Sequence, residues 1–289
     1  MKVLVSTDTS CLINYELLKK HGISVFPLNV IIDGEEYLDG VTIDQKQLRD
    51  AMRGNKKVQT STPPLGQVSA YFEGLFEQGY DHIIHFTISS KLSSMNQLFN
   101  NVASQFDGKV TIIDGYSVSA LMLSHVLYAF DEVSKGTEIK DIVSAIEKRK
   151  LDSKVVFIPE NLTALKNGGR ISPAIAAIGN TLGLKPVIAL KDGALVKDSM
   201  TRNVKKTFMD SIASMLKDYP DSEYDYTVVE FDANEKVVDS IIEHLSSLLS
   251  YNKVVRGIVP INVCAHCGPG TIGLLATPRI NGKSINDYL

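Results

Sequence analysis

The stretch His82–Phe106, HIIHFTISSKLSSMNQLFNNVASQF, decides the fold class that the sequence predicts. It begins with a short apolar run typical of a buried strand, and after Asn96 its apolar residues recur at three- and four-residue steps, as on one face of a helix. Because a helix N-terminus leaves backbone N–H groups unpaired, the loop between strand and helix is a candidate anion site. Capping of the helix explains its hydroxyls without a ligand, and for any single serine it is the simpler interpretation. The hydroxyl residues of this loop are Thr87, Ser89, Ser90, Ser93 and Ser94.

Strands are also predicted on both sides of this stretch. Lys2–Ser6 has the composition of a first buried strand and Val110–Ile113 that of another, with helices predicted between them. Strands that alternate with helices favour a parallel sheet with crossover helices, and ligands of such sheets bind beyond the carboxyl ends of the strands. Asp8 and Asp114 fall at those ends, although both also suit ordinary capping. The sequence therefore predicts an α/β fold.

Turn signals organise several further segments. Ser24–Ile32 is predicted as one strand, which Pro27 places at a sheet edge or a bulge. Asp33-Gly34 and Asp192-Gly193 are each typical of a β-hairpin turn, since both residues of such a turn adopt positive φ. The apolar residues of Val254–Val263 predict a further strand in the second half of the chain.

Length, composition and charge restrict the class of protein. At 289 residues the chain is long enough for two α/β domains, and a change of character near Leu151 predicts a division into residues 1–152 and 153–289. A hydrophobic content of 44% and a charged content of 22% are typical of a soluble globular protein, and a net charge of −3 gives no reason to expect nucleic-acid binding. With no signal peptide, no apolar run of membrane-spanning length and three cysteines, we expect a cytoplasmic protein.

The segment Asn262–Gly273, NVCAHCGPGTIG, is the richest local motif of the second half. Cys264 and Cys267 have the spacing of a redox pair or of half a zinc site, but no second Cys/His pair is available to complete four ligands, so no metal is expected. The glycines fit a tight turn that lets the backbone approach a ligand. His266 can donate to an anion or satisfy its own turn, and both interpretations remain open.

Two basic groups have low specificity on their own. Arg170 follows a glycine pair in Asn167-Gly168-Gly169-Arg170, but the P-loop pattern is absent. This arginine can pair with a phosphate, with the carboxylate of a partner, or only with solvent. Arg202 forms a second basic cluster together with Lys205 and Lys206.

In this order, the segments resemble those of the DegV family, the bacterial fatty-acid-binding proteins of the FakB type, over nearly the whole chain. The family usually has Gly where Ser94 stands and Thr-Tyr where Met95-Asn96 stand, and Thr62 and Pro64 also differ from its usual residues. The resemblance rests on short segments in register: Asp8-Thr9-Ser10, Pro27-Leu28, Thr60-Ser61 with Pro63, Ser89-Ser90-Lys91-Leu92-Ser93, Asp114, Asn167–Ser172, Gly183–Pro186 and His266–Gly270.

This resemblance implies a two-domain α/β protein, with a parallel sheet in the N-terminal domain and a mixed sheet in the second, that encloses one long-chain fatty acid between them. Matched by motif, Thr60 or Ser61, Ser93 and His266 would hydrogen-bond the carboxylate. Ordinary core is the alternative for each residue that we propose for the acyl-chain tunnel. Those candidates are Ile171, Ile175, Ile178, Leu182 and Leu121.

The resemblance also implies that the chain is a carrier and not the catalyst. A separate ATP-dependent kinase would phosphorylate the bound acid to an acyl phosphate, and Arg170 and Arg202 would lie on the face that meets it. No cofactor is implied, and contact with a membrane would be transient at most. Two alternatives stay open. A hydrolase with Ser93 as nucleophile and His266 as base lacks a G-x-S-x-G elbow and an assigned acid, and a kinase in its own right lacks a P-loop or kinase signature.

Overall fold

The computed structural model describes residues 1–11, 15–176, 183–251 and 253–288. The strands among them are β1 (Val3–Asp8), β2 (Ser24–Phe26), β3 (Asn29–Ile32), β4 (Glu35–Leu38), β5 (Val58–Ser61), β6 (His82–Thr87), β7 (Val110–Asp114), β8 (Lys154–Ile158), β9 (Lys185–Lys191), β10 (Ala194–Thr201), β11 (Tyr224–Phe231), β12 (Val255–Ile258) and β13 (Thr271–Pro278). The helices are α1 (Tyr15–Lys20), α2 (Gln45–Arg53), α3 (Leu65–Glu77), α4 (Met95–Ala103), α5 (Ser119–Ser134), α6 (Ile139–Arg149), α7 (Thr163–Asn167), α8 (Pro173–Ala176), α9 (Val204–Asp218), α10 (Glu235–Leu248) and α11 (Ile261–Cys267), and a 3₁₀ turn covers Ile285–Asp287.

A four-stranded parallel sheet with the order β2-β1-β6-β7 organises the first half. β6 lies at its interior, with Ile84 opposite both Val5 of β1 and Thr111 of β7. Helices cover both faces of a parallel sheet, so its inner strands are buried along most of their length, as β6 is after its first residue. The strand, hydroxyl loop and helix predicted for His82–Phe106 are therefore confirmed as β6, the loop at 88–94 and α4.

A six-stranded mixed sheet with the order β10-β9-β8-β13-β11-β12 organises the second half. Its strand pairs are antiparallel except for β11 and β12. Alternate residues of β13 point to opposite faces. On one face Ile272 and Leu274 join a core formed with α9 and α10. The α/β fold with a parallel and a mixed sheet is thus confirmed. No helix among the described residues is long and apolar enough to cross a membrane.

The prediction of one strand over Ser24–Ile32 was wrong. The chain breaks at Pro27-Leu28, so β2 joins the parallel sheet and β3 joins a separate three-stranded antiparallel sheet with the order β4-β3-β5. Proline has no N–H for a ladder hydrogen bond, which explains why the strand cannot continue through it. This change of the chain from one sheet to another matters because β3 then pairs with β5, which carries the hydroxyl residues Thr60 and Ser61.

The predicted strand over Val254–Val263 was also too long. β12 ends at Ile258, and the chain then turns into α11, whose N-cap is Pro260. Proline is tolerated at a helix start, where its missing N–H would be unpaired in any case. His266 therefore lies on a short helix and not in a loop after a strand.

Both predicted hairpins are confirmed. Asp33 and Gly34 connect β3 to β4, and Asp192 and Gly193 connect β9 to β10, all four residues having positive φ as type I′ turns require. The second hairpin also reaches the first half of the chain, because Ser89 Oγ donates a 2.8 Å hydrogen bond to the carbonyl of Gly193.

The division of the chain at residues 152 and 153 stays a prediction. The parallel sheet precedes it and the six-stranded sheet follows it. One hydrophobic core cluster nevertheless includes residues from both sides, among them Leu121 and Leu275. The two halves are therefore joined by shared packing as well as by the hairpin contact.

We expect Gly193→Ala to lower the free energy of unfolding by more than Gly34→Ala. A Cβ atom at positive φ costs roughly 1–2 kcal/mol in either turn. At Gly193 it would also lie 2.5 Å from Ser89 Oγ, whereas at Gly34 nothing lies within 4 Å. Overpacking of that kind adds about 1–3 kcal/mol. Urea unfolding of both variants measures the difference, and equal losses would contradict a close contact between hairpin and loop.

Candidate functional site

A cavity of about 450 Å³ lies between the two halves. This volume is in the range of small-molecule sites, which are mostly apolar with a few placed polar groups. Loops after β1 and β6 and the start of α5 line it on one side, and the six-stranded sheet and α11 line it on the other. The sheet contributes a wall of apolar side chains, which includes Val155, Phe157, Leu190, Val229 and Leu275.

The predicted carboxylate-binding residues all line this cavity. Thr60 and Ser61 come from β5, Ser93 from the loop before α4, and His266 from α11. Arg170, which the family resemblance assigned to the face that meets a kinase, lines the cavity as well. Four separate segments thus bring hydroxyl, imidazole and guanidinium groups to one apolar cavity.

The His266 ring is held on one side and closely approached on the other. Its Nε2 lies 2.8 Å from Thr60 Oγ1, and its Nδ1 has no hydrogen-bond partner among the described residues. A Cβ atom at Gly168 would overlap Nδ1. The first glycine of the Asn167–Arg170 segment therefore makes room for the imidazole, which is the kind of close approach that only glycine permits.

Charge at this end of the cavity comes from Arg170. Burial, and then the positive charge of Arg170, lower the pKa of His266 from 6.5 to about 4, so the imidazole is neutral near neutral pH. The half-buried guanidinium donates from Nε to the carbonyl of Leu92 at 3.1 Å and from Nη1 to the carbonyl of Gly168. No carboxylate of the described residues forms an ion pair with it.

A polar groove of about 970 Å³ lies on the other side of the same residues. Thr60, Arg170 and His266 line both the cavity and the groove, so they form part of the wall between them. A group bound at the polar end of the cavity would therefore lie next to the groove. The other side chains of the groove are largely polar and include Lys56, Lys57, Gln59, Asn161 and Asn167.

Asp8 and Asp114 hold loops and do not line the cavity. Asp8 accepts backbone hydrogen bonds from Ser10 at 2.7 Å and from Ile88 at 2.9 Å, which ties together the loops after β1 and β6. Asp114 accepts from the backbone of Ser90 and Tyr116. Burial raises the pKa of Asp8 to about 6, although the hydrogen bonds from Ile88 and Ser10 oppose this rise. The N-cap of α5 is Val118 and not Asp114, and the hydrogen bonds of both carboxylates go to loop backbone.

Three of the residues proposed for the tunnel, Ile171, Ile175 and Leu121, lie in the described part of the chain and are not among the residues that line the cavity. Ile171 and Ile175 are buried in a small cluster with Leu165, which does line the cavity, and Leu121 belongs to the large core shared by both halves. Their role in a tunnel stays a prediction. Ile178 and Leu182 lie outside the described residues. Apolar residues of the six-stranded sheet line the cavity, and β11 and β13 are buried along nearly their whole length, so no local alternation marks the face that lines it.

Asn262 is a lining residue that the sequence analysis missed. It lies one helical turn before His266 on α11, and its Nδ2 donates to Ser10 Oγ at 3.0 Å. On the same helix Cys264 and Cys267 are free and buried. No group of three or more His, Cys, Asp and Glu side chains in the described part of the chain could hold a metal ion.

Arg202 lies apart from the cavity. It is exposed in the short connection between β10 and α9, and neighbouring Lys205 and Lys206 are exposed too. Lys206 forms an ion pair with Asp210 at 2.7 Å. Neither Arg202 nor these lysines are among the described residues that line the cavity or the groove.

Comparison with known proteins assigns the family. The model described as "Uncharacterised protein, DegV family" matches residues 2–279. The chain belongs to the DegV family. A DegV domain-containing protein of Clostridium perfringens is 29% identical over 282 residues, which cover 95% of this chain and 98% of that protein. Another from Mycoplasmopsis pulmonis is 26% identical over 274 residues, covering 95% and 94%.

Solved DegV structures share the fold. A fatty-acid-binding DegV family protein of Thermus thermophilus is 26% identical with a TM-score of 0.88, covering 96% of this chain and 100% of that one. DegV of Bacillus subtilis, described as a fatty acid binding protein, is 25% identical with a TM-score of 0.86 and the same coverage. The family and the fold that the sequence predicted are both confirmed.

We expect His266 to titrate with a pKa of about 4 in an NMR experiment on the ring signals, below its ordinary 6.5. Arg170→Gln should raise this pKa without restoring 6.5, because burial is the larger cause. Since the unfolded chain binds the proton at a higher pH than the folded site, His266 makes the fold less stable as the pH falls from about 6.5 to about 4. Lys166→Gln, which removes an exposed cation of α7, is the control, and titration of wild-type His266 near 6.5 would refute the assignment.

Proposed function

We propose that this chain binds one long-chain fatty acid, with the acyl chain against the six-stranded sheet and the carboxylate at the polar end of the cavity. A single observation carries the proposal: the cavity combines an apolar wall with the hydroxyl and imidazole groups of Thr60, Ser93 and His266. The similar proteins of Thermus thermophilus and Bacillus subtilis, which are described as fatty-acid-binding, support it.

Burial of the acyl chain is sufficient to explain affinity. A palmitoyl chain has roughly 14 methylenes, and at about 0.8 kcal/mol each its burial contributes on the order of 11 kcal/mol. Ordering the ligand and losing its free motion cost several kcal/mol of this. The polar end of the cavity therefore has to orient the carboxylate more than it has to hold it.

Neutral donors can orient the carboxylate. In our proposal the neutral imidazole carries its proton on Nε2 and donates it to Thr60 Oγ1, 2.8 Å away, which leaves the Thr60 hydroxyl proton for a carboxylate oxygen. Ser93 supplies a second hydroxyl in the same cavity. Arg170 adds positive charge nearby, but its guanidinium is already engaged by two backbone carbonyls. The carboxylate oxygens consequently stay more reactive than in a permanent ion pair.

In our proposal the chain is a cytoplasmic carrier, without a cofactor, that serves a separate ATP-dependent fatty acid kinase. An oxygen of the bound carboxylate attacks the γ-phosphorus of ATP, the bond to ADP breaks, and an acyl phosphate forms. The polar groove supports this step. Because Thr60, Arg170 and His266 line both the groove and the cavity, a phosphoryl donor in the groove would be next to the proposed carboxylate position without entering the apolar cavity. Arg202 belongs to the face that we propose for the kinase.

A hydrolase finds less support in the geometry. A Ser–His–Asp site needs a serine bonded to the histidine and an acid behind it. His266 Nε2 is hydrogen-bonded to Thr60 and not to Ser93, and Nδ1 has no acidic hydrogen-bond partner among the described residues. The chain also lacks the G-x-S-x-G elbow.

We expect the double variant Ser93→Ala/His266→Ala to retain at least tenfold less fatty acid than the wild type while remaining folded. Ser93→Ala removes a hydroxyl that would hydrogen-bond the carboxylate, which is worth about 1.5–3 kcal/mol, and His266→Ala removes the group that orients the Thr60 hydroxyl, so together they exceed the tenfold threshold. Organic extraction and mass spectrometry measure the acid that purifies with each protein. Ser90→Ala is the matched control, since Ser90 is exposed in the same loop and does not line the cavity. Undiminished retention in the double variant would refute the carboxylate site.

We expect Arg202→Ala to bind fatty acid normally but to form acyl phosphate several-fold more slowly with an ATP-dependent fatty acid kinase. Because Arg202 is exposed and outside the cavity, its loss should change only the encounter with the kinase. Hydroxylamine trapping of the acyl phosphate gives the rate. Lys217→Ala removes an exposed cation at the far end of α9 as the control. Equal rates for the wild type and Arg202→Ala would remove Arg202 from the proposed face.

A further inference from the structure

Gly273 occupies an unexpected position in the floor of the cavity. It lies in β13, between β8 and β11 in the interior of the six-stranded sheet. A glycine inside a strand costs roughly 0.5–1 kcal/mol relative to alanine and often marks a close approach of another group. Thr271, Gly273 and Leu275 line the cavity, so the glycine faces the ligand space and not the opposite core.

Two larger side chains close over this glycine. Phe157 of β8 and Val229 of β11 are its partners in the ladder, and both line the cavity. A Cβ atom on Gly273 would lie 2.9 Å from Val229 Cγ2 and 3.5 Å from Phe157 Cβ. The first distance is too short for carbon atoms that are not bonded, since they approach optimally at about 3.5–4.0 Å. Any side chain at position 273 therefore has to displace Val229 or enter the cavity.

We propose that Gly273 determines which acyl chain length the cavity accepts. Because it has no side chain, Val229 and Phe157 can pack over it, and the surface of the sheet does not project into the cavity at this position. This inference rests on the proposed fatty-acid binding. A valine at position 273 would add three carbon atoms on the cavity face of β13, in space that the ligand or Val229 now uses. The longest acids would lose buried methylenes, whereas shorter acids would still fit. Val229→Ala acts in the opposite direction because it removes atoms from the same floor.

Competition of saturated acids against a fluorescent fatty acid on the delipidated full chain tests the proposal. Each methylene that no longer fits weakens binding about fourfold, so Gly273→Val should weaken stearate binding on the order of 50-fold if three methylenes are displaced. Laurate binding should change little. Val229→Ala in the Gly273→Val background should restore most of the stearate affinity, because the two positions compete for the same space.

Ala276→Val is the matched control, because Ala276 is buried on the opposite face of the same strand. It disturbs the sheet without adding atoms to the cavity, so it should weaken laurate and stearate equally. If Gly273→Val fails to fold, Val229→Ala alone decides the matter by a gain in stearate affinity relative to laurate. An unchanged ratio of stearate to laurate in the folded variants would overturn the role of Gly273. Absence of binding by the wild type would instead overturn the proposed function.

Discussion

The structure depends on a difference in packing between the two faces of the six-stranded sheet. One face is covered by α9 and α10, whose Phe208, Ile212 and Ile241 pack with strand residues in a continuous core. Part of the other face, which carries Phe157 and Val229, borders a cavity instead of a helix. A sheet buries its apolar face against another layer, and here α11, the start of α5 and loops of the first half enclose space in front of it. This incomplete packing against the apolar wall is the physical reason that a cavity exists at this position.

Local patterns were sufficient to predict most of the fold. The apolar run and helical period of His82–Phe106 gave β6 and α4, and the two Asp-Gly pairs gave both hairpins, because these features are determined by neighbouring residues. The split at Pro27 was missed because an apolar run has the same composition whether it continues in one sheet or changes to another. The same ambiguity led to the prediction of a strand after Pro260, where the chain forms a helix.

The polar and apolar parts of the site differed in how far they could be predicted. Thr60, Ser93 and His266 were placed together through a family resemblance, and the structure does bring them to one cavity. The residues proposed for the acyl-chain tunnel were helical ones such as Leu121, which packs in the core shared by both halves, and their role in a tunnel stays a prediction. Apolar residues look alike in a core and in a wall, so only the pairing of strands separates them. Val229 faces the cavity because β11 pairs with β13 in a register that no local pattern contains.

Burial sets the chemistry at the polar end of the cavity. His266 is kept neutral by burial and by Arg170, and Arg170 is in turn held by the carbonyls of Leu92 and Gly168. The described residues that line the cavity include no carboxylate that would repel a bound acid, and the guanidinium of Arg170 is already hydrogen-bonded. In the proposed function this is an advantage, because a tight ion pair would lower the nucleophilicity of the oxygen that would react.

The location of the wall between cavity and groove connects binding with reaction. In the proposed function an acyl chain would gain its free energy of binding from apolar surface that water does not reach, yet a phosphoryl donor would have to reach its carboxylate. These requirements conflict unless the two ends of the ligand meet different surroundings. Because Thr60, Arg170 and His266 border both spaces, the change from apolar to polar surroundings occurs across a single layer of side chains. In the proposed function the acyl chain would therefore stay buried while only the carboxylate lies close to a partner kinase, which would supply the groups for the transfer.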